Sequence, residues 1–234
     1  MDNTEVIYEG KAKKIYPSTK PAFWIQEFKD DATAFNGKKK GQISNKGEIN
    51  NKISSRLFQY LDSHQVPTHF VKRTAPNAME IKKLQMFKLE VIVRNIAAGS
   101  YLKRENVEEG TVLNPPILEY CLKDDDLGDP FISETEIFDQ ELATDDQLDK
   151  IRRNTLKVNV LLKDFFSRRN LKLVDFKLEW GLDAKKDVVL GDEISPDTCR
   201  FWDATTNEKL DKDRFRQNMG GVENAYEEVL KRVF

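Results

Sequence analysis

The chain has 234 residues, enough for one large domain or two small ones sharing a core, which excludes a long multidomain machine. With 39% hydrophobic and 33% charged residues it has material for both an interior and a solvated surface, which excludes wholesale disorder. Thirty-eight Lys and Arg against forty Asp and Glu leave a formal charge of −2, too small for a global field that holds nucleic acid or an anionic membrane, so any polyanion site must be local.

The opening stretch alternates like paired strands: Val6 and Tyr8 before Gly10, then 12–16, then 23–28, with Pro17, Ser18 and Pro21 as punctuation. A polar, glycine-containing loop is expected over 30–47. After it Ile49, Ile53, Leu57, Phe58 and Leu61 recur at helical spacing, giving an amphipathic helix that closes near His64. Segments 66–71, 78–84 and 86–96 read as three more strands, the last with Phe87, Leu89, Val91 and Val93 on one face. The first part is therefore strand-rich and antiparallel. From 106 to 131 the pattern becomes loop, with Asn114-Pro115-Pro116, Asp124-Asp125-Asp126, Gly128 and Pro130.

Thr144 with Gln147 forms a capping box, and the helix it opens places Leu148, Ile151, Thr155, Val158, Leu162 and Phe165 at steps of three and four, ending near Asn170. In the strand 171–180, alternation puts Val174, Phe176, Leu178 and Trp180 on one face and Asp175, Lys177 and Glu179 on the other. Gly181 and Asp183 supply a turn and 188–193 return, so this hairpin brings Asp192 close to Lys177 and Glu179. A last helix carries Val222, Ala225, Tyr226, Val229, Leu230 and Val233. Cys121 and Cys199 are too few for a disulfide framework and are expected as free thiols. No apolar run resembles a signal peptide or a membrane span, so the expectation is a soluble, cytoplasmic protein.

Carboxylates on adjacent strands can share a divalent cation, and hard oxygen ligands of this kind suit magnesium bridging to phosphate. A solvated sheet face with an ordinary Lys–Glu pair explains the hairpin pattern equally well. In Glu9-Gly10-Lys11-Ala12-Lys13-Lys14 a glycine turn carries lysines an even step apart, which suits polyphosphate, although a polar turn is the plainer account of so short a pattern. Arg94 ends a strand, and the small residues up to Gly99 and Ser100 open a short helix, a natural phosphate seat or an ordinary cap; Arg200 follows the acidic hairpin closely enough to close the same site.

Other motifs fail. Gly10-Lys11 and Gly37-Lys38 lack the rest of a P-loop, and no G-x-G-x-x-G occurs. The Asp124 cluster has the wrong spacing for an EF-hand, His64 and His69 lack metal-protease spacing and are expected to be structural, and Lys38-Lys39-Lys40 reads as a solvated loop. No G-x-S-x-G elbow is present.

Taken together, Gly10-Lys11-Ala12-Lys13, Gly47-Glu48-Ile49-Asn50-Asn51, Val93-Arg94-Asn95-Ile96-Ala97-Ala98-Gly99-Ser100, Val174-Asp175-Phe176-Lys177-Leu178-Glu179, Gly191-Asp192-Glu193-Ile194-Ser195-Pro196-Asp197 and Asp211-Lys212-Asp213-Arg214-Phe215-Arg216 resemble the SAICAR synthetase family in order and across nearly the whole chain, at the length of its monofunctional bacterial members. The resemblance implies an α+β fold with a strand-rich antiparallel N-terminal part (1–84) covering the nucleotide and a larger, ATP-grasp-like C-terminal part (85–234), the active-site cleft lying between them. It implies an ATP-dependent ligase that joins L-aspartate to carboxyaminoimidazole ribonucleotide through an acyl phosphate, with ATP and Mg2+ as cosubstrate and metal, no nucleic-acid or membrane partner, and a homo-oligomer.

By that resemblance Lys11 and Lys13 sit over the ATP phosphates, Lys82, Leu84 and Met86 border the adenine, and Lys123 reaches the ATP site. Glu179 and Asp192 hold magnesium. Arg94, Ser100 and Arg200 clamp the ribonucleotide phosphate, while Asp175 and Lys177 face its imidazole carboxylate, so that Lys13, Asp175 and Lys177 are the catalytic set. Lys212, Arg214 and Arg216 are candidates for the aspartate carboxylates, and the loop holding Asn36 is assigned to substrate closure. A kinase-like small-molecule phosphotransferase is the enzymatic alternative. A nucleotide-sensing or RNA-binding module is disfavoured by the small net charge.

Overall fold

The computed structural model describes residues 5–34, 38–124 and 126–234; Asn36 and Asp125 lie outside them. Strands β1 (Tyr8–Glu9), β2 (Lys13–Pro17) and β3 (Phe23–Phe28) form a meander, as their alternation predicts. The segment expected to be loop instead contains a hairpin of β4 (Asp31–Ala34) and β5 (Lys39–Gln42). Strand β4 turns only Ala32 and Ala34 inward and β5 has no apolar residue, so neither carries enough alternation to register as strand. The expected lysine loop is corrected with it: Lys39 lies in β5, over the Phe215 ring, and donates to Asn218 Oδ1 at 2.6 Å.

Helix α1 (Lys46–Ser63) buries Ile49, Ile53, Leu57, Phe58 and Leu61 and ends at His64. Its first turn lies hard against the end of β3: a Cβ at Gly47 would stand 2.6 Å from the Phe28 carbonyl oxygen, and the Gly47 N–H donates to Asp30 Oδ1 at 2.8 Å. One turn later Asn51 Nδ2 donates to the carbonyls of Ala75, Pro76 and Ala78, fastening the turn between β6 (Phe70–Ala75) and β7 (Ala78–Lys82) to the helix. The first sheet is antiparallel in the order β1-β2-β3-β7-β6. Strand β6 starts four residues later than its apolar run, because Thr68 and its neighbours instead bridge in parallel to Leu190 of the second sheet.

The second sheet is built on β8 (Gln85–Ile96) and, beyond α2 (Ser100–Glu105), β9 (Val112–Leu122). The expected loop over 106–131 is thus an eleven-residue strand, its two prolines masking it from a pattern search. They are tolerated because β9 is an edge strand and because its pairing with β8 jumps from Ile117 to Val112, which leaves 113–116 outside the ladder, so neither missing N–H interrupts it. After α3 (Glu134–Asp139), α4 (Asp145–Ser167) opens on the predicted capping box, Thr144 Oγ1 accepting from the Gln147 N–H at 3.3 Å and Gln147 Oε1 from the Thr144 N–H at 2.9 Å. Its apolar stripe packs on β10 (Leu171–Leu182), and Thr155 Oγ1 accepts a hydrogen bond from buried Trp180 Nε1 at 3.1 Å.

Strand β10 is central: β8 lies along one side, while β11 (Val188–Leu190) and β12 (Cys199–Asp203) share the other. A register shift between Leu173 and Asp175 corrects one expectation. Val174 leaves the main core face and packs with Ala98 and Trp202, so the core face of β10 reads Leu171, Leu173, Phe176, Leu178, Trp180. Helix α5 (Asp213–Arg216) precedes α6 (Val222–Val233), whose Ala225, Tyr226, Val229 and Val233 are buried; α6 packs on α1, so one apolar core runs through both sheets. The α+β, antiparallel expectation holds.

Candidate active site

The antiparallel register of β8 and β10 sets Arg94 opposite Asp175, Ile92 opposite Lys177 and Glu90 opposite Glu179. Directly opposed residues share a face, so these six form the floor of a cleft, while Val91, Val93, Phe176 and Leu178 are buried on the core side. The cleft has a volume of about 470 Å3. Its walls are the Gly10–Lys13 turn, Ser100, Lys123, Asp192 to Arg200, and Lys212 with Arg216. Glu90 escapes the motif search because β8 shows its apolar periodicity more plainly; the signal that finds it is its even spacing from Arg94.

At one end lysines and carboxylates interleave. Lys13 Nζ pairs with Asp192 and with Glu193 Oε1, the latter at 2.9 Å. Lys123 pairs with Glu179 Oε2, and Lys177 with Glu90 and, at 3.4 Å, with Glu179 Oε1. Burial lowers the proton affinity of Lys13 and Lys177, but the surrounding carboxylates outweigh it and hold both above the ordinary lysine range. Burial likewise works against an ionised Asp192, yet Lys13, Lys177 and Lys123 keep its pKa low. For Glu90 burial prevails over Lys177 and raises the pKa. The hairpin therefore does bring Asp192 to Lys177 and Glu179. Lys11 lines the same end of the cleft.

At the other end arginines converge on Asp175. Its Oδ2 accepts from Arg94 Nη1 at 3.2 Å and Arg200 Nη1 at 2.7 Å, while Arg94 Nε donates to Glu119 Oε2 at 2.7 Å. Gly99, at φ 61, lets Arg200 lie against it: a Cβ there would fall 2.7 Å from the Arg200 Cζ. Ser100 follows at the first position of α2. Beside this group, Asp197 is fully partnered by Lys46 Nζ at 2.7 Å, Asn50 Nδ2 at 3.1 Å and Tyr226 OH at 2.7 Å, with Lys212 Nζ at 3.7 Å. Lys212 and Arg216 line the cleft; Arg214 turns away to Glu208 and the Gly220 carbonyl.

Three residues of the expected nucleotide site do not line this cleft. Lys82 Nζ donates to the Thr68 carbonyl at 2.8 Å. Leu84 and Met86 pack where Cβ atoms at Gly181 and Gly191 would lie, beside the Asp192 turn. His69, expected to be structural, is buried and adjoins Asp192.

For a metal, the cleft offers two hard carboxylates, Glu179 and Asp192, on adjacent segments, the Gly191 N–H donating to the Glu179 carbonyl at 2.9 Å. Among the described residues no group of three or more His, Cys, Asp or Glu is arranged to hold a metal ion alone. Two carboxylates fit magnesium that takes its remaining ligands from phosphates and water.

Fold and site together define an α+β enzyme whose cleft gathers lysines, arginines and hard carboxylates, the groups that handle phosphate esters. The family profile described as SAICAR synthetase matches residues 6–233. A phosphoribosylaminoimidazole-succinocarboxamide synthase from Caldanaerobacter subterraneus subsp. tengcongensis is 53% identical over 233 residues, covering 100% of this chain and 99% of that protein. The crystal structure of the synthase of the same name from Ehrlichia chaffeensis superposes with a TM-score of 0.96 at 45% identity, covering 98% of each chain. A SAICAR synthetase (Type-2) solved in complex with ADP superposes at 0.95 with 47% identity, covering 98% of this chain and 97% of that one. The chain belongs to the SAICAR synthetase family, ATP-dependent ligases of purine biosynthesis, and the kinase-like alternative is not favoured.

Proposed function

We propose that this chain joins L-aspartate to carboxyaminoimidazole ribonucleotide, converting ATP to ADP and phosphate and releasing SAICAR. The observation that carries this is the single floor of β8 and β10, with a lysine–carboxylate end and an arginine end only four residues of strand apart. One end suits a polyphosphate and the other a phosphate monoester, so the ribonucleotide's carboxylate falls between them.

A carboxylate is a poor electrophile. Its oxygen attacks the γ-phosphorus of ATP, the bond to the β-bridging oxygen breaks and ADP leaves, giving an acyl phosphate. The aspartate amine then attacks the carbonyl carbon, the C–O bond to phosphate breaks, and the amine loses a proton as phosphate departs. Lys11, Lys13 and Lys123 sit where they neutralise the charge on the phosphoryl oxygens, Lys177 holds the reacting carboxylate, and Asp175 orients both the imidazole and the two arginines. Arg94, Ser100 and Arg200 seat the ribonucleotide phosphate. Glu179 and Asp192 would hold magnesium, which supplies charge neutralisation at the phosphates when bound. Lys212 and Arg216 take the aspartate carboxylates, Arg214 being removed from the candidates by its bonds to Glu208 and the Gly220 carbonyl.

Lys82, Leu84 and Met86 remain the candidates for the adenine edge, reached past the Asp192 turn. In this reading the 1–84 part covers the nucleotide carried by 85–234, and the protein acts in the cytoplasm as a homo-oligomer. The test is phosphate release from ATP by purified protein. It is expected only when both the ribonucleotide and L-aspartate are present, in step with SAICAR formation, and to vanish in a folded Asp192→Asn variant. Release without aspartate-dependent product would contradict the reading, and wild-type turnover by the variant would remove Asp192 from the site.

A further inference from the structure

The stretch from Asp211 to Arg216 is only partly used by the reaction above. Lys212 and Arg216 line the cleft; Asp211 and Asp213 do not. Both acids are nevertheless buried, and their partners are specific. Asp213 Oδ2 accepts from Arg200 Nε at 2.8 Å, and its Oδ1 accepts from Arg216 Nη1 at 2.6 Å. Asp211 accepts from the main-chain N–H of Phe201 at 2.8 Å and of Asp213 at 2.7 Å, which pins the start of α5 to β12 one residue beyond Arg200. Burial opposes ionisation of Asp213, but Arg200 and Arg216 outweigh it and keep the carboxylate charged.

A guanidinium fixed through Nε keeps its two Nη groups for other work. In Arg200 one Nη spans both oxygens of Asp175, at 3.0 and 2.7 Å, and the fork lies against Gly99, next to Ser100. Without an anchor at Nε, a side chain with four rotatable bonds spreads over many rotamers, and each must be ordered again when an anion binds.

We infer that Asp213 is a positioning residue that aims Arg200 and Arg216 into the cleft as one unit, fixing the spacing between the guanidinium that meets the ribonucleotide phosphate and the one that meets the amino-acid carboxylate. Resting on the function proposed above, this assigns the family-like acidic motif a task that touches no substrate directly.

The test is steady-state kinetics of Asp213→Ala and Asp213→Asn, with ribonucleotide, L-aspartate and ATP varied separately. KM for the ribonucleotide and for aspartate is expected to rise about tenfold or more, with KM for ATP within about twofold, because α5 has no part in the lysine end. Asp213→Glu, which keeps the charge, is expected to recover part of the loss. In an Arg200→Ala/Arg216→Ala background, Asp213→Ala is expected to add less than about twofold, since no guanidinium remains to aim. Full additivity in that triple variant, or an equal rise in all three KM values, would overturn the positioning role. Asp213→Asn, the gentler change, decides the matter if Asp213→Ala does not fold. An inactive wild-type protein would overturn the reaction assignment instead, so the two failures are distinguishable.

Discussion

Asp192 adopts a left-handed backbone conformation, φ 58, that aspartate tolerates better than branched residues do. Its carbonyl accepts from Gln26 Nε2 at 3.1 Å, and the buried ring of His69 adjoins it, edge-on to Phe58. Burial, aided by Lys13 and Lys82 and opposed by Asp192, pushes the His69 pKa from 6.5 down to about 3. The folded protein therefore holds His69 neutral while the unfolded chain takes up a proton below pH 6.5. Stability from this group is complete above 6.5 and is lost as the pH falls toward 3, by at most about 1.4 kcal/mol per pH unit. Urea unfolding of wild type and His69→Phe between pH 7.5 and 4.5 (about three units, spanning the ordinary histidine value) checks this: the difference between them should shift in the variant's favour on acidification, and a pH-independent difference would contradict it. Asp175, Lys177, Glu179 and Asp192 are legible one by one because alternation and the hairpin set which face each occupies, whereas Lys123, Lys82, Leu84 and Met86 follow only from the family resemblance, and the last three do not line the cleft. Glu90 and Asp213 are not legible, since their significance comes from Glu179, Arg200 and Arg216, partners that only folding brings near.

At the scale of elements, the strongly periodic segments, α1, α4, β3 and the 171–190 hairpin, match their sequence patterns closely. Those missed share a physical cause. Strand β4 is short and turns only alanines inward, β5 has no apolar residue to alternate, and β9 carries prolines that its edge position and a break in its pairing with β8 permit. The bulge that turns Val174 away from the core is set by pairing with β12, which local pattern does not encode. Gly47 shows the opposite case, a motif residue whose reason is packing. In a free helix Gly→Ala gains up to about 1 kcal/mol. Here the added methyl would press on the Phe28 carbonyl at 2.6 Å, so main chain must move. Gly47→Ala is therefore expected to lower the melting temperature; an increase would show that the first turn of α1 has room.

Across the whole molecule, α1 and α6 tie the two sheets together through one buried network: Lys46, Asn50 and Tyr226 all converge on Asp197, and Ser54 exchanges hydrogen bonds with Ile194. The segment bearing Asp192, Glu193 and Arg200 is thereby held between elements from opposite ends of the chain. A net charge of −2 is then an average over a cleft patterned into a lysine–carboxylate end and an arginine end. Under the proposed function this cleft activates a carboxylate by phosphorylating it. The direct measurement is oxygen transfer from ribonucleotide labelled with 18O in its carboxylate, followed by mass analysis of the phosphate released with aspartate present. One labelled oxygen per phosphate is the predicted result; unlabelled phosphate, formed along with SAICAR, would contradict it.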